Sequence, residues 1–186
     1  MRRVYFTFGR FNPPTIGHEK LIEAVAKAAK TDDWFIIPSQ THKKPKDPLP
    51  YAYKASLMKK MFPKYASHID DTACCNTPIA VMEHLMMKDY TDVVMVVGSD
   101  RVAGFDKLLK EYNRDPRANY AFDTVEVVSA GERDPDADGA AGMSASKMRA
   151  AAKDGKSRDF VDGIPDSLST KEKLDLMAEV RKGMGL

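Results

Sequence analysis

The segment from Gly9 to His18 constrains the fold more than any other part of the sequence. It follows Val4–Phe8, a β-branched and aromatic run typical of a buried strand, and it precedes apolar residues at helical spacing. Gly9 allows the backbone to approach a ligand, and Thr15 can cap the following helix. Gly17 and His18 then fall in the first helical turn, where unpaired amides and the helix dipole favour anions. The segment therefore predicts a phosphate site at the end of the first strand.

Strand and helix patterns alternate along all 186 residues without internal repeats. This alternation predicts an α/β fold with a doubly wound parallel sheet of about five strands. We expect a single domain over 1–186, with a C-terminal helical part from about residue 144 to residue 186. The predicted strands are 3–8, 33–38, 68–74, 92–98 and 121–129, and the predicted helices are 17–30, 51–62, 78–88, 102–112, 144–153 and 170–183.

A second candidate anion site lies at Ser144-Ala145-Ser146-Lys147-Met148-Arg149. This run opens an alanine-rich helix that continues to about Lys153. A helix N-terminus that carries serine hydroxyls and, within a turn, two cations is suited to bind phosphate. The alternative is a serine-capped surface helix. The Gly131 to Gly142 segment before it is expected to be a mobile acidic loop.

Gly9 to His18 resembles the (His/Thr)-x-Gly-His signature of the nucleotidylyltransferase superfamily, in the G-x-F-x-P-x-T-x-G-H form found in nicotinamide mononucleotide and phosphopantetheine adenylyltransferases. Residues 144–149 resemble its second signature, Ser-Ser-x-x-x-Arg, although Ala145 departs from the second serine. The resemblance implies a Rossmann-like fold of this type. It also implies an enzyme that transfers a nucleoside monophosphate, AMP in the first instance, from a nucleoside triphosphate to a phosphomonoester and releases pyrophosphate.

The continuous apolar run Asp92–Val97 is typical of a central parallel strand covered on both faces. It ends in Gly98-Ser99-Asp100, which resembles the superfamily's G-x-D at the carboxyl end of that strand. Ligands bind at this edge of open α/β sheets. Asp100 can therefore bind a ribose or an acceptor amide, or it can cap the helix that begins near Val102, and the sequence leaves both alternatives open.

The basic segment Ser39–Lys46 follows the second predicted strand. Its Lys-Lys-Pro resembles the adenylyltransferase segment whose lysine reaches the α-phosphate, with Lys43 the better match and Lys44 the competitor. A cation there would offset charge on the equatorial oxygens during phosphoryl transfer. The alternative is a solvated basic loop.

The resemblance also distributes roles among the candidate residues. Thr15 would position phosphates, His18 would stabilise the bridging and leaving oxygens, and Arg149 would neutralise the β,γ end. The implied catalytic residues are Thr15, His18, Lys43 and Arg149; the implied nucleotide-binding residues are Gly9, Arg10, Phe11, Gly17, His18, Gly98, Asp100, Ser144, Ser146, Lys147 and Arg149; the implied acceptor-binding residues are Thr15, Lys43, Lys44 and Asp100.

Composition narrows the remaining classes. The net charge is +2 with acids and bases interspersed, so no basic face indicates nucleic acid. No segment reaches membrane-spanning length, and the adjacent Cys74 and Cys75 cannot form a disulfide framework, which favours a reduced cytoplasmic setting. Asp134–Gly139 imitates the start of a calcium loop, but Ala145 stands where that loop needs glutamate. We therefore expect no protein metal site, and Mg²⁺ bound mainly through the triphosphate; a homo-oligomer is compatible with the sequence.

The acceptor and the base are less constrained than the reaction type. The Gly-Arg-Phe opening favours nicotinamide mononucleotide, with phosphopantetheine and cytidylyl transfer as alternatives. Residues 15–18 and 143–147 also resemble the class I aminoacyl-tRNA synthetase signatures, but the chain leaves no room for a tRNA-binding domain. A non-catalytic nucleotide-binding module of a larger assembly is the alternative from another class.

Overall fold

In the computed structural model, residues 1–131 and 143–186 are described; the segment predicted as a mobile acidic loop and the calcium-loop imitation lie largely outside them. The strands are β1 Arg3–Gly9, β2 Asp33–Pro38, β3 Asp92–Val97 and β4 Thr124–Ser129. The α-helices are α1 Ile16–Ala29, α2 Tyr51–Met61, α3 Pro78–Met86, α4 Val102–Arg114, α5 Ala145–Lys153, α6 Ser157–Asp162 and α7 Thr170–Met184, with 3₁₀ turns at Pro63–His68 and Ser99–Arg101.

Within the described residues the sheet has four strands, all parallel, in the order β2-β1-β3-β4. The chain leaves β1 toward one side to form β2 and later returns on the other side of β1 to form β3. The strand order therefore reverses between β1 and β3. In open α/β sheets, ligands bind at the carboxyl ends of the strands at such a point. The predicted α/β class is confirmed, and Gly9 and Gly98 lie at this switch point.

Helices cover both faces of the sheet. Neighbouring residues of a strand point to opposite faces, so each strand contributes side chains to both cores. In β2, Ile36 packs into the core beneath α1, α2, α5, α6 and α7, whereas Ile37 packs into the core beneath α3 and α4. In β3, Val96 and Val97 divide in the same way. A strand buried on both faces has no polar alternation, which is why the run at 92–97 is wholly apolar apart from Asp92.

The helix starts follow the capping residues in the sequence. The Thr15 hydroxyl accepts a hydrogen bond from the Gly17 amide, and the Thr77 hydroxyl accepts one from the Ala80 amide. Ser169 and the third helical residue of α7 form a reciprocal capping box. These contacts satisfy amides that have no partner inside the helix. The predicted helix starts at these positions are confirmed to within a residue.

The predicted strand at 68–74 is wrong. Ile69 makes one isolated parallel bridge to Ile36, and the Asp70 amide donates to the Ile36 carbonyl at 2.8 Å. The Asp70 side chain then accepts from both the amide and the hydroxyl of Thr72. This local bonding turns the chain away from β2 and replaces the strand ladder, as short acidic side chains commonly do. The bridge lies where the fifth strand was expected.

The short helix α6 was not predicted. It lies between α5 and α7 and buries Phe160 in the same core as Phe11. Among residues 1–131 and 143–186, no helix combines the length and apolar character needed to cross a membrane.

Candidate nucleotide site

The loop from β1 to α1 is held by packing on both sides. The Phe11 ring is buried and lies with its centroid 4.8 Å from that of His18. A Cβ on Gly9 would come within 3.2 Å of the Phe11 ring, so glycine is the residue that fits there. Phe11, one of the predicted nucleotide-binding residues, therefore packs into the core and does not face the open edge of the sheet. From the core it supports the His18 ring.

His18 has a defined ring orientation. Its Nδ1 accepts a hydrogen bond from the Thr15 amide at 3.0 Å and completes the capping box of α1. Because an amide can only donate, Nδ1 carries a lone pair, and in the neutral ring the proton is on Nε2. The cap therefore sets the tautomer, with Nε2 as the nitrogen that can donate a hydrogen bond to an anion.

The second motif lies against the first. The Arg149 guanidinium donates to the Asn12 carbonyl at 2.9 Å and to the Ser146 hydroxyl at 3.1 Å. A Cβ on Gly17 would lie 3.3 Å from the Met143 carbonyl oxygen, so the chain entering α5 passes close to the start of α1. The structure thus brings together the two helix N-termini that the sequence predicts as phosphate sites.

The residues at the start of α5 are arranged around its cap. The Ser144 hydroxyl caps the helix by accepting from the Lys147 amide at 3.2 Å, and the Ser146 and Lys147 side chains are exposed. Burial lowers the pKa of the Arg149 guanidinium, and the Asp47 carboxylate opposes this shift. An arginine stays charged throughout the physiological range even so, and it offers a fixed cation beside the amides of α5.

Lys54 is a residue of this site that the sequence interpretation missed. Its side chain is fully buried, and its ammonium donates at 2.6 Å to the Arg10 carbonyl and at 2.6 Å to the Ser39 carbonyl. It therefore joins the loop after β1 to the loop after β2. Burial lowers the pKa of Lys54 to about 8, and the Asp47 carboxylate works against that shift. One feature of the sequence could have identified this residue as buried. Lys54 lies one helical turn before Met58 and two turns before Met61, on the apolar face of α2.

Asn12 and Asp47 reinforce the same junction. The buried Asn12 amide donates to the Leu49 carbonyl at 3.1 Å and accepts from the Leu49 amide at 2.8 Å. Asp47 is only 3% exposed, and its Oδ2 lies 3.8 Å from the Arg10 guanidinium. Its Oδ1 is buried without a hydrogen-bond partner among the described residues. The Arg10 guanidinium thus lies beside a buried carboxylate whose charge also favours the charged forms of Lys54 and Arg149.

The two lysines predicted to reach the α-phosphate lie in the segment between β2 and α2. We call residues 39–47 of this segment the lysine loop. Lys43 and Asp47 pair through reciprocal backbone hydrogen bonds of 3.1 and 2.8 Å, which close a short turn. Lys43 and Lys44 both project from that turn and are exposed. Both lysines lie on the loop that Lys54 and Asn12 anchor. Their positions do not distinguish which of them would reach the α-phosphate.

Asp100 lies directly after β3, in the 3₁₀ turn Ser99–Arg101, and is exposed. The residue at the N-cap of α4 is Arg101, and no side chain makes a capping bond there. The capping alternative for Asp100 is therefore wrong. A contact with ribose or acceptor remains a prediction, and the position at the carboxyl end of β3 suits it.

The sheet order and the paired helix N-termini define an α/β protein with a candidate anion site at the carboxyl edge of its sheet. The chain belongs to the cytidylyltransferase-like family, whose model matches residues 6–151. The fold is nucleotidylyltransferase-like, of the Rossmann type.

Solved structures with this fold include a protein from Vibrio parahaemolyticus provisionally assigned as a nicotinate-nucleotide adenylyltransferase. It is 18% identical, the alignment covers 94% of this chain and 99% of that one, and the TM-score is 0.60. The nicotinic acid mononucleotide adenylyltransferase of Plasmodium falciparum, solved in complex with APC, is 13% identical over 96% of this chain and 98% of that one, with a TM-score of 0.58. No curated protein sequence matches the chain.

Proposed function

We propose that this protein is an adenylyltransferase that transfers AMP from ATP to a pyridine mononucleotide and releases pyrophosphate. The observation that carries the proposal is the contact between the two motifs. Arg149 of α5 donates to the Asn12 carbonyl beside α1, so a triphosphate at one helix N-terminus is within the field of the other. A site that binds a chain of phosphates needs such consecutive anion positions.

The reaction needs no protein nucleophile. The acceptor phosphate attacks the α-phosphorus in line, and the bond to the bridging oxygen of pyrophosphate breaks. The protein then contributes positioning and electrostatic stabilisation, which dominate phosphoryl-transfer catalysis. His18 Nε2 donates a hydrogen bond to the oxygens on which charge develops, because the capping bond from Thr15 holds its Nδ1 as an acceptor.

The other residues contact different parts of the two substrates. The amides of α5, the Ser146 hydroxyl and Arg149 hold the β,γ end, and Lys43 or Lys44 approaches the α-phosphate. Thr15 and Asp100 are the candidates for acceptor contacts. Lys54 contacts backbone only in this structure, so it is a positioning residue that keeps the loops of Arg10 and Ser39 in register.

Magnesium enters this proposal with the triphosphate. The buried carboxylate at the site, Asp47, already faces the cations of Arg10, Lys54 and Arg149. A further cation there would be repelled, which favours Mg²⁺ held by phosphate oxygens and water, in keeping with its reluctance to lose hydration. When bound, the ion neutralises charge on the transferring phosphates.

The choice of acceptor rests on two kinds of likeness. The opening of the first motif resembles that of nicotinamide mononucleotide adenylyltransferases, and the similar solved structures carry names of nicotinate-nucleotide enzymes. Nicotinamide mononucleotide remains the leading acceptor, with nicotinate mononucleotide as its close analogue. Cytidylyl transfer stays a second candidate because of the family match.

The test is pyrophosphate release with a matrix of substrates. ATP and CTP are each combined with nicotinamide mononucleotide, nicotinate mononucleotide and 4′-phosphopantetheine, and the dinucleotide product is identified by mass. We expect turnover with ATP and a pyridine mononucleotide, and its loss in His18→Ala. Turnover only with CTP or phosphopantetheine would replace the proposed substrates. Tight ATP binding without pyrophosphate release across a broad panel of phosphomonoesters would instead support the non-catalytic module.

A further inference from the structure

A cluster of metal-ligating side chains lies outside the nucleotide site, beyond the edge strand β2. Asp70 and Cys74 belong to the segment that leaves β2 after the Ile69 bridge, and His84 belongs to the last turn of α3. One ligand atom from each of these three residues lies within 4.8 Å of the others. No role in nucleotidylyl transfer accounts for this grouping of a carboxylate, a thiol and an imidazole.

The carboxylate and the imidazole already stand at the spacing of two ligands on one ion. His84 Nε2 is 3.1 Å from Asp70 Oδ2. Two ligands bonded to tetrahedral zinc at about 2.0–2.1 Å lie about 3.3 Å apart, so little movement is required. The side chains are 5% exposed for Asp70 and 21% for His84, so the pair is shielded but reachable.

A second layer of contacts orients the carboxylate. Asp70 Oδ1 accepts from the Thr72 amide at 2.8 Å and from the Thr72 hydroxyl at 2.6 Å. These bonds turn Oδ2 toward His84, whose Nε2 donates a hydrogen bond to it, so zinc would bind between these two atoms in place of that proton. Support of this kind is typical of protein metal sites, where outer contacts hold the ligands in place.

The third ligand is under redox control. Cys74 is joined to Cys75 by a disulfide between neighbours, and Cys75 is fully buried in the core with Val81 and Met82. A disulfide sulfur is a poor metal ligand, whereas a thiolate binds zinc strongly. The sequence favoured a reduced setting for these two cysteines, whereas the structure shows them bonded to each other.

We propose that Asp70, Cys74 and His84 form a Zn²⁺ site that fills when the Cys74–Cys75 disulfide is reduced. A dithiol reductant transfers two electrons and two protons: its thiolate attacks one sulfur, the Cys74–Cys75 bond breaks, and the reductant leaves as its own disulfide. Zinc then binds the Cys74 thiolate, Asp70 Oδ2 and His84 Nε2; the thiol proton is released, and the proton of the His84–Asp70 hydrogen bond leaves Nε2 for Nδ1 or for solvent. A water completes four-coordination. A small-molecule disulfide reverses the exchange and releases the ion.

The site is linked to the lysine loop by direct bonds. The Cys75 carbonyl accepts from the Gln40 amide at 3.0 Å, next to Ser39 at the end of β2. The Tyr51 hydroxyl donates to the Asp70 carbonyl at 3.1 Å and accepts from the Ala73 amide at 3.0 Å. Rearrangement of residues 70–75 therefore acts on both ends of the loop that carries Lys43, and zinc occupancy is expected to change its mobility.

The experiment titrates the full-length protein with Zn²⁺ and, separately, with Co²⁺, without nucleotide. Wild type is prepared with the disulfide reduced and the reductant removed under anaerobic conditions, or oxidised with a small-molecule disulfide. We expect one equivalent of zinc in the reduced form and at least about tenfold weaker binding in the oxidised form. Co²⁺ should give a thiolate charge-transfer band only in the reduced form.

Matched variants separate the ligands from the switch. Cys74→Ser should abolish the cobalt band and weaken zinc binding at least about tenfold, and His84→Ala should weaken zinc binding similarly. Cys75→Ala keeps the ligand set but cannot form the Cys74–Cys75 disulfide, so, purified without added reductant or oxidant, it should bind zinc as tightly as reduced wild type. His68→Ala, which alters a histidine outside the cluster, should bind as wild type. Equal zinc affinity in the reduced and oxidised forms, no binding in either, or a cobalt band that persists in Cys74→Ser overturns the proposal.

Discussion

The corner at residues 9–18 and the lysine loop at residues 39–47 hold their polar groups in opposite ways. In the corner, Thr15 is 1% exposed, and His18 is oriented by a bond from the Thr15 amide and by the Phe11 ring. In the loop, Lys43 and Lys44 extend into solvent from a turn that is closed by backbone bonds alone.

This difference separates groups that are positioned before a ligand binds from groups that must be ordered by it. Fixing a long lysine side chain costs up to about 2 kcal/mol of conformational entropy, whereas the half-buried, hydrogen-bonded imidazole of His18 has already lost much of its freedom. The corner is therefore suited to stabilise the transition state, and the loop is suited to respond to the triphosphate. The Lys54 ammonium donates hydrogen bonds to both regions and fixes their relative position.

The largest effect is expected in the corner. His18→Ala should lower kcat at least about 100-fold while ATP affinity changes little, because the lost contact strengthens as charge develops on the leaving oxygens. Steady-state turnover and calorimetric ATP binding measure the two effects. His42→Ala, which removes an exposed histidine in the lysine loop, is the control. Unchanged turnover in His18→Ala would remove this residue from the mechanism.

The link between the two regions can be tested through pH. Lys54 has a pKa of about 8 in the folded protein, below the ordinary 10.5. Between these values the unfolded chain binds more protons, so the free energy of unfolding should rise with pH through this group, by on the order of 2 kcal/mol by about pH 10.

Lys54→Met should lack that rise, because it keeps most of the apolar stem of the side chain and removes the titrating ammonium. Urea unfolding of both proteins at about pH 7 and about pH 10 measures the difference. Lys60→Met, an exposed lysine on the same helix, should keep the wild-type pH dependence. An identical pH slope in wild type and Lys54→Met would show that the ammonium is not desolvated.

The loop should respond to nucleotide through one lysine. Lys43→Ala should lower kcat about tenfold, and Lys44→Ala should matter much less, because Lys43 is the better match to the lysine that would offset charge on the α-phosphate. Hydrogen exchange over residues 39–48, with and without ATP and Mg²⁺, should show protection in wild type that Lys43→Ala reduces. The interpretation of the loop as ligand-ordered fails if saturating nucleotide leaves exchange unaltered.

The smallest expected effect concerns selectivity at the far end of the triphosphate. Arg149→Ala should weaken ATP binding about fivefold more than ADP binding, because in the proposed binding mode the guanidinium would contact the terminal phosphates. Competition binding of the two nucleotides measures this ratio. Lys153→Ala, an exposed cation in the last turn of the same helix, serves as the control. Equal losses for both nucleotides would place Arg149 elsewhere on the ligand.

Local patterns predicted most of the scaffold and the two helix N-termini of the site. The apolar runs at β1 and β3 and the caps Thr15 and Ser144 act within a few residues, so their structural effects can be predicted from sequence. The prediction of a strand at 68–74 was wrong for a local reason that a hydrophobic pattern cannot indicate. The Asp70 carboxylate bonds to Thr72 and turns the chain where β-type residues predicted extension.

By itself, the sequence determined the α/β class, four of the strands with most of the helices, and the two motifs at helix starts, because periodicity, caps and glycine positions depend on near neighbours. Only the tertiary structure decided that Arg149 lies against Asn12, that Lys54 is buried between two loops, and that residues 70, 74 and 84 meet. These contacts join distant parts of the chain. They depend on how the helices pack on each face of the sheet, which no local pattern specifies.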